Sequence, residues 1–87
     1  MQVMVELSLY PLAENYLTPI KSFIERLNRY EGLQVNTSAT STQVAGDYRQ
    51  VMDVLGKEMQ RTHEEVGQAV FVAKFLNFDK MQGNSGE

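Results

Sequence analysis

The chain has 87 residues, carries eight Lys and Arg against eleven Asp and Glu for a formal charge of −3, and contains no cysteine. A chain of this length has room for one modest core with a thin stability margin. Its bases are scattered (Lys21, Arg26, Arg29, Arg49, Lys57, Arg61, Lys74, Lys80), which argues against the clustered basic surface that nucleic acid or an anionic membrane requires, and the missing thiols exclude disulfides, thiolate metal sites and cysteine nucleophiles.

The first element is a strand. Val3, Val5, Leu7 and Leu9 alternate with Gln2, Met4, Glu6, Ser8 and Tyr10, the period of two expected when one face is buried. Pro11 ends it, because proline cannot donate to a ladder. Glu6 comes too early for a signal peptide and no apolar run reaches the roughly 20 residues of a membrane span, so the cytoplasm is the expected location.

A helix follows. Ile20, Phe23, Ile24 and Leu27 form a stripe at helical spacing, with Lys21, Glu25, Arg26 and Arg29 placed outside it. Pro19 belongs in the first turn, Asn15 or Thr18 is the expected cap, and Gly32 is expected to close the helix in a left-handed conformation. Leu33, Val35 and Thr37 then alternate with Gln34, Asn36 and Ser38 as a second strand. Residues 41–46 read as a third, with Val44 facing inward.

Asp47 is placed to cap a second helix, with Gln50 three residues on to complete a capping box. Its expected stripe is Tyr48, Val51, Met52, Leu55, Met59 and Val66, and Gly67 stops it. Gly56 inside the helix costs about 1 kcal/mol relative to alanine, a cost consistent with close packing on the sheet. Residues 69–76 form a last strand, apolar on both faces except at Lys74. Residues 79–87 have nothing to bury and are expected to form a mobile tail beyond a domain of residues 1–78.

The order β-α-β-β-α-β with right-handed crossovers predicts an α+β, ferredoxin-like sandwich, a four-stranded antiparallel sheet with two helices on one face. The other face would carry Met4, Tyr10 and apolar side chains of the last strand beside Glu6, Ser8, Gln34, Asn36 and Ser38. That mixture suits a homodimer or homotetramer made through sheet faces, a small-molecule site, or both.

Catalytic chemistry has little to stand on. His63, in Thr62-His63-Glu64-Glu65, lacks the second histidine of a zinc-binding HExxH motif and reads as a surface or helix C-terminal residue. No nucleophile–base pair, phosphate loop, metal-ligand cluster or cofactor motif is visible. Glu6 reads equally as a ligand contact or as the ion-pair partner of Lys74. The hydroxyl run from Thr37 to Thr42 reads first as turn chemistry and second as an adaptable set of donors and acceptors.

The segments Val5-Glu6-Leu7-Ser8-Leu9-Tyr10-Pro11-Leu12, Ser41-Thr42-Gln43-Val44-Ala45-Gly46-Asp47-Tyr48 with Val51-Met52, and Ala69-Val70-Phe71-Val72-Ala73-Lys74-Phe75 resemble the YkoF-related thiamine/hydroxymethylpyrimidine-binding family. The resemblance runs from residue 3 to about residue 77; Ala13 departs from it, since relatives often have glycine after Pro-Leu. It implies the sandwich fold, assembly through sheets, and non-catalytic binding of the pyrimidine moiety of thiamine as carrier, salvage component or sensor. On that basis Glu6 could take an amino group or a protonated ring nitrogen. Ser8, Asn36, Ser38 and Thr42 could serve the other edge of the ring, and Tyr10, Phe71 or Phe75 could stack on it. The competing expectations are a structural or regulatory oligomerisation module without a ligand, and a small cavity enzyme.

Overall fold

In the computed structural model, which describes residues 1–78, six elements follow one another: β1 (Gln2–Pro11), α1 (Leu17–Asn28), β2 (Gln34–Thr37), β3 (Thr42–Asp47), α2 (Tyr48–Val66) and β4 (Ala69–Phe78). The strands form one antiparallel sheet in the order β2-β3-β1-β4, and this is the ferredoxin-like α+β sandwich expected from the sequence. The expectation of a mobile tail at 79–87 lies outside the described residues.

Period-two alternation in β1 places Val3, Val5 and Leu7 against the helices, where they pack with Val44, Phe23, Leu27, Val51, Val54 and Leu55 as the core. Register explains why the opposite face has the composition foreseen. Met4, Glu6, Ser8 and Tyr10 share it with their β4 partners Leu76, Lys74, Val72 and Val70, and with Ala45 and Gln43 of β3. No described helix is long and apolar enough to cross a membrane.

Local details depart from expectation where a polar side chain turns inward or a helix rotates. Neither Asn15 nor Thr18 caps α1: the N-cap is Tyr16, with no side-chain bond to the first turn, so Pro19 stands third in the helix. The helix ends at Asn28, and Gly32 takes its positive φ of 87° in the turn leading to β2 rather than at the helix end. Asp47 caps α2 by accepting the Gln50 backbone N–H at 3.2 Å. The reciprocal half of the capping box is missing, because the Gln50 side chain donates instead to the Glu31 carbonyl at 2.8 Å. That bond ties α2 to the turn before β2. Gly67 does stop α2, with φ 91°.

The stripe of α2 is rotated from the one expected. Its buried residues are Val51, Val54, Leu55, Glu58 and Thr62, while Tyr48 and Met52 are exposed. Gly56 faces open space, so close packing does not account for it. The cause of the rotation is Arg26, which lies inside the α1 stripe and is buried. Its guanidinium pairs with Glu58 and donates to Thr62 Oγ1 (2.8 Å), Ser22 Oγ (2.8 Å) and the Glu58 carbonyl (3.3 Å). Tyr30 donates its hydroxyl to the other Glu58 oxygen, and Glu65 stands 3.7 Å from Arg26. A buried ion pair is tolerable only when its remaining donors and acceptors are satisfied. Thr62 and Ser22 therefore occupy positions where an apolar stripe would place a methyl.

The cluster gives the protein an acid limb of stability. Burial pushes the Glu58 carboxyl up, but the hydrogen bonds from Tyr30 and Arg26, together with the Arg26 charge, outweigh it and hold the group below its usual 4.5. A carboxyl depressed in the folded state stabilises the fold above its unfolded pKa, and that stabilisation is lost as pH falls through the folded value. Tyr30 is shifted upward by its bond to Glu58 and by burial, so its contribution is lost only at pH above the ordinary 10.0. The melting temperature is thus expected to fall steeply below about pH 4.5, and Glu58→Gln should flatten that limb. An equally steep acid limb in the variant would show that other carboxylates carry it.

Candidate functional site

The sheet leaves a gap at one end. β1 pairs with β3 only from Gln2 to Leu7, which lies opposite Thr42; residues 8–11 pair with β4 alone. Where β3 falls short, the Ser38–Ser41 turn crosses beside β1 and α1 approaches from above. Between them lies a cavity of about 620 Å³, inside the range usual for small-molecule sites.

Its apolar walls come from two directions: Leu7 and Leu9 of β1, and Ile20, Phe23 and Ile24 of α1. Ile20 and Ile24 belong to the apolar stripe yet stay half-buried, because their outer surfaces face this space. Tyr10, Leu12 and Tyr16 stand exposed at the rim. The polar side is a row of hydroxyls, Thr37, Ser38, Thr40, Ser41 and Thr42, with Ser8 opposite. Every lining residue is uncharged.

The turn is held in a defined shape. Ser38 N–H donates to the Ser41 carbonyl at 2.9 Å, and Ser38 Oγ accepts from the backbone of Ser41 at 3.2 Å. Two side chains of β1 tether it. Ser8 Oγ donates to the Thr40 carbonyl at 3.1 Å, and Ser41 Oγ donates to Glu6 Oε2 at 3.2 Å. Glu6 also lies 3.8 Å from Lys74 Nζ across the sheet. Because Ser41 gives its proton to a carboxylate, its oxygen is left as an acceptor for an amino donor.

The sequence-nominated residues divide by place. Ser8, Tyr10, Ser38 and Thr42 line the cavity. Glu6 and Asn36 lie on the open sheet face, Glu6 in the ion pair with Lys74 and reaching the cavity only through Ser41. Phe71 sits on the helix face of β4, its ring 5.2 Å from Phe23 and edge-on to His63 at 5.3 Å, so it backs the Phe23 wall. His63 itself is exposed near the end of α2, with Nε2 3.1 Å from the Ala69 carbonyl. No three His, Cys, Asp or Glu side chains among the described residues group as metal ligands.

Sequence reasoning did not nominate Tyr16, Ile20, Phe23, Ile24, Thr40 or Ser41. The stripe of α1 reads as core, and only the early end of β3 reveals that three of its members face a void. The hydroxyl run was visible, but its side of the sheet depends on the turn path.

Several solved structures share the fold. A Streptococcus pneumoniae protein is similar with TM-score 0.82 at 18% identity, over 93% of this chain and 90% of its own. A Thermotoga maritima protein provisionally assigned to thiamine biosynthesis or salvage matches with TM-score 0.77 at 18% identity, over 86% and 82%. A hypothetical protein of Methanocaldococcus jannascii gives TM-score 0.77 at 25% identity, over 95% and 86%. No curated protein matches the chain in sequence. The model of the YkoF-related family matches residues 2–77, almost the whole of the described fold, and the chain therefore belongs to the YkoF-related family.

Proposed function

We propose that the protein binds thiamine, or its hydroxymethylpyrimidine portion, without catalysis, in the cavity between α1 and the Ser38–Ser41 turn. The carrying observation is an uncharged cavity with apolar walls on one side and a row of hydroxyls on the other. An aminopyrimidine has the matching form: a planar ring for Leu9, Ile20 and Phe23 to enclose, and an edge of alternating donors and acceptors for the hydroxyls. In this reading Ser8, Ser38 and Thr42 contact the ring edge, Tyr10 covers the mouth, and Ser41 accepts the exocyclic amino group. Glu6 strengthens that acceptor from behind, while Asn36 and Phe71 support the hairpin and the Phe23 wall. Family membership and the Thermotoga maritima relative's provisional assignment to thiamine biosynthesis or salvage support the ligand class. A carrier, salvage or sensing role in the cytoplasm fits a chain of this kind.

Self-association as a homodimer or homotetramer belongs to the same reading. It is supported by Tyr10, Val70, Val72 and Leu76, which stand exposed on the open face.

Calorimetric titration tests the ligand. Thiamine and hydroxymethylpyrimidine are expected to bind saturably, and thiamine phosphate at least about 10-fold more weakly, since a phosphate would be desolvated against a lining that offers no cation. Absence of saturable heat with either unphosphorylated ligand, or preference for the phosphate ester, would overturn the assignment.

A further inference from the structure

The hydroxyls beside the cavity are not all free rotors, because three of their protons already have takers. Ser8 Oγ donates to the Thr40 carbonyl at 3.1 Å, Ser38 Oγ to the Ser41 carbonyl at 3.2 Å, and Ser41 Oγ to Glu6 Oε2 at 3.2 Å. A hydroxyl has one proton to give, so in this arrangement the three serines offer a ligand only lone pairs. The commitments differ in strength. Ser8 and Ser38 donate to neutral carbonyls, whereas Ser41 donates to a carboxylate, a bond roughly twice as strong. A carboxylate has no proton to return, so Ser41 cannot exchange roles with it. Glu6 is itself held at both oxygens, by Ser41 on Oε2 and by Lys74 Nζ 3.8 Å from Oε1. Thr42 contrasts with the serines. It is buried and lines the same cavity, and its hydroxyl has no hydrogen bond among the described residues, which leaves its proton for a ligand.

We propose that Glu6 is a specificity-determining positioning residue: by holding the Ser41 proton it fixes Ser41 as an acceptor, so that the site selects a ring bearing an exocyclic amino group and rejects the same ring bearing a carbonyl. The inference rests on the pyrimidine-binding reading above and names what that site discriminates. An amino group has N–H to give and meets the Ser41 oxygen, while the adjacent ring nitrogen takes the Thr42 proton. A carbonyl in the amino group's place sets lone pairs against lone pairs. Ser41 relieves that clash only by turning its proton inward and abandoning the carboxylate. A site built to bond a ligand N–H discriminates strongly against the analogue that lacks it. Glu6 does not line the cavity, so its influence passes through Ser41. Glu6→Gln reverses the polarity. Lys74, beside Oε1, keeps the amide oxygen on its side, which puts the amide nitrogen where Oε2 stands. That nitrogen donates to Ser41 Oγ, and the Ser41 proton turns toward the ligand.

The test compares thiamine with oxythiamine, in which a carbonyl replaces the ring amino group. Both are titrated calorimetrically into the full chain and into its Glu6→Gln and Ser41→Ala variants, with a melting curve for each protein. The unmodified chain should prefer thiamine by at least about 30-fold, the worth of one buried polar group left unpaired. Glu6→Gln should weaken thiamine and strengthen oxythiamine, lowering that preference by at least about 10-fold. Ser41→Ala should weaken thiamine and leave oxythiamine unimpaired. Opposite movements of the two affinities separate a positioning role from a structural one, because a loosened turn would weaken both ligands together. Equal affinities in the unmodified chain, or a Glu6→Gln protein in which both ligands weaken in proportion, overturn the role of Glu6 and leave the cavity reading standing. No saturable heat with thiamine in the unmodified chain overturns both.

Discussion

Glu58→Ala is expected to bring the protein close to unfolding at ordinary temperature. Arg26 and Glu58 are both buried, and removing one partner of a buried ion pair leaves the other charge uncompensated at a cost of about 3–5 kcal/mol. The whole stability of a domain this size is roughly 4–13 kcal/mol. Each kcal/mol moves the melting temperature of a small domain by about 4–8 °C, so a fall of at least about 12 °C is expected by calorimetry. The variant also leaves the Tyr30 hydroxyl without its acceptor. Replacing both partners by apolar residues of similar volume, Arg26→Met with Glu58→Leu, should recover much of the loss, because the penalty comes from the orphaned charge and not from the absence of attraction. A Glu58→Ala variant that melts within a few degrees of the parent would mean that water reaches the pair.

The second large effect concerns the cavity. Ile20 lines the space between α1 and the Ser38–Ser41 turn, and Ile20→Trp is expected to fill part of that space with an indole. Thiamine binding should weaken by at least about 100-fold, or roughly 2.7 kcal/mol, because the ring then competes with a covalently attached occupant. Stability should change little, since Ile20 is only half-buried and the added atoms enter open volume instead of a packed core. Unchanged affinity in a normally melting Ile20→Trp protein would place the ligand elsewhere. The open sheet face, where Glu6 and Asn36 stand, would be the next region to examine.

Much of this architecture is legible in the residues themselves. The alternation of Val3, Val5, Leu7 and Leu9 settles which face of β1 is buried, and the Asp47 cap marks where α2 begins. Arg26 was not legible, because a guanidinium in an apolar stripe looks like a boundary residue until its partner is known. That partner, Glu58, lies 32 residues away on another helix. The same long-range pairing rotates α2 so that Tyr48 and Met52 leave the core. At the site, Ser8, Tyr10, Ser38 and Thr42 could be nominated from hydroxyl and aromatic chemistry. The α1 wall could not, since whether Ile20 and Ile24 face core or cavity depends on where β3 stops pairing with β1. Glu6 shows a third kind of limit. Its face was readable, but its bond to Ser41, which carries its influence around the end of the sheet, depends on the turn.

In the proposed function an uncharged aminopyrimidine occupies the space under the Ser38–Ser41 turn. Backbone amide shifts recorded by NMR while hydroxymethylpyrimidine is added test it most directly. Saturable shifts are expected, concentrated in residues 7–12, 16–24 and 37–42, with little change along the outer half of α2. Shifts confined to the open-face residues of β1 and β4, or none at saturating ligand, would contradict it.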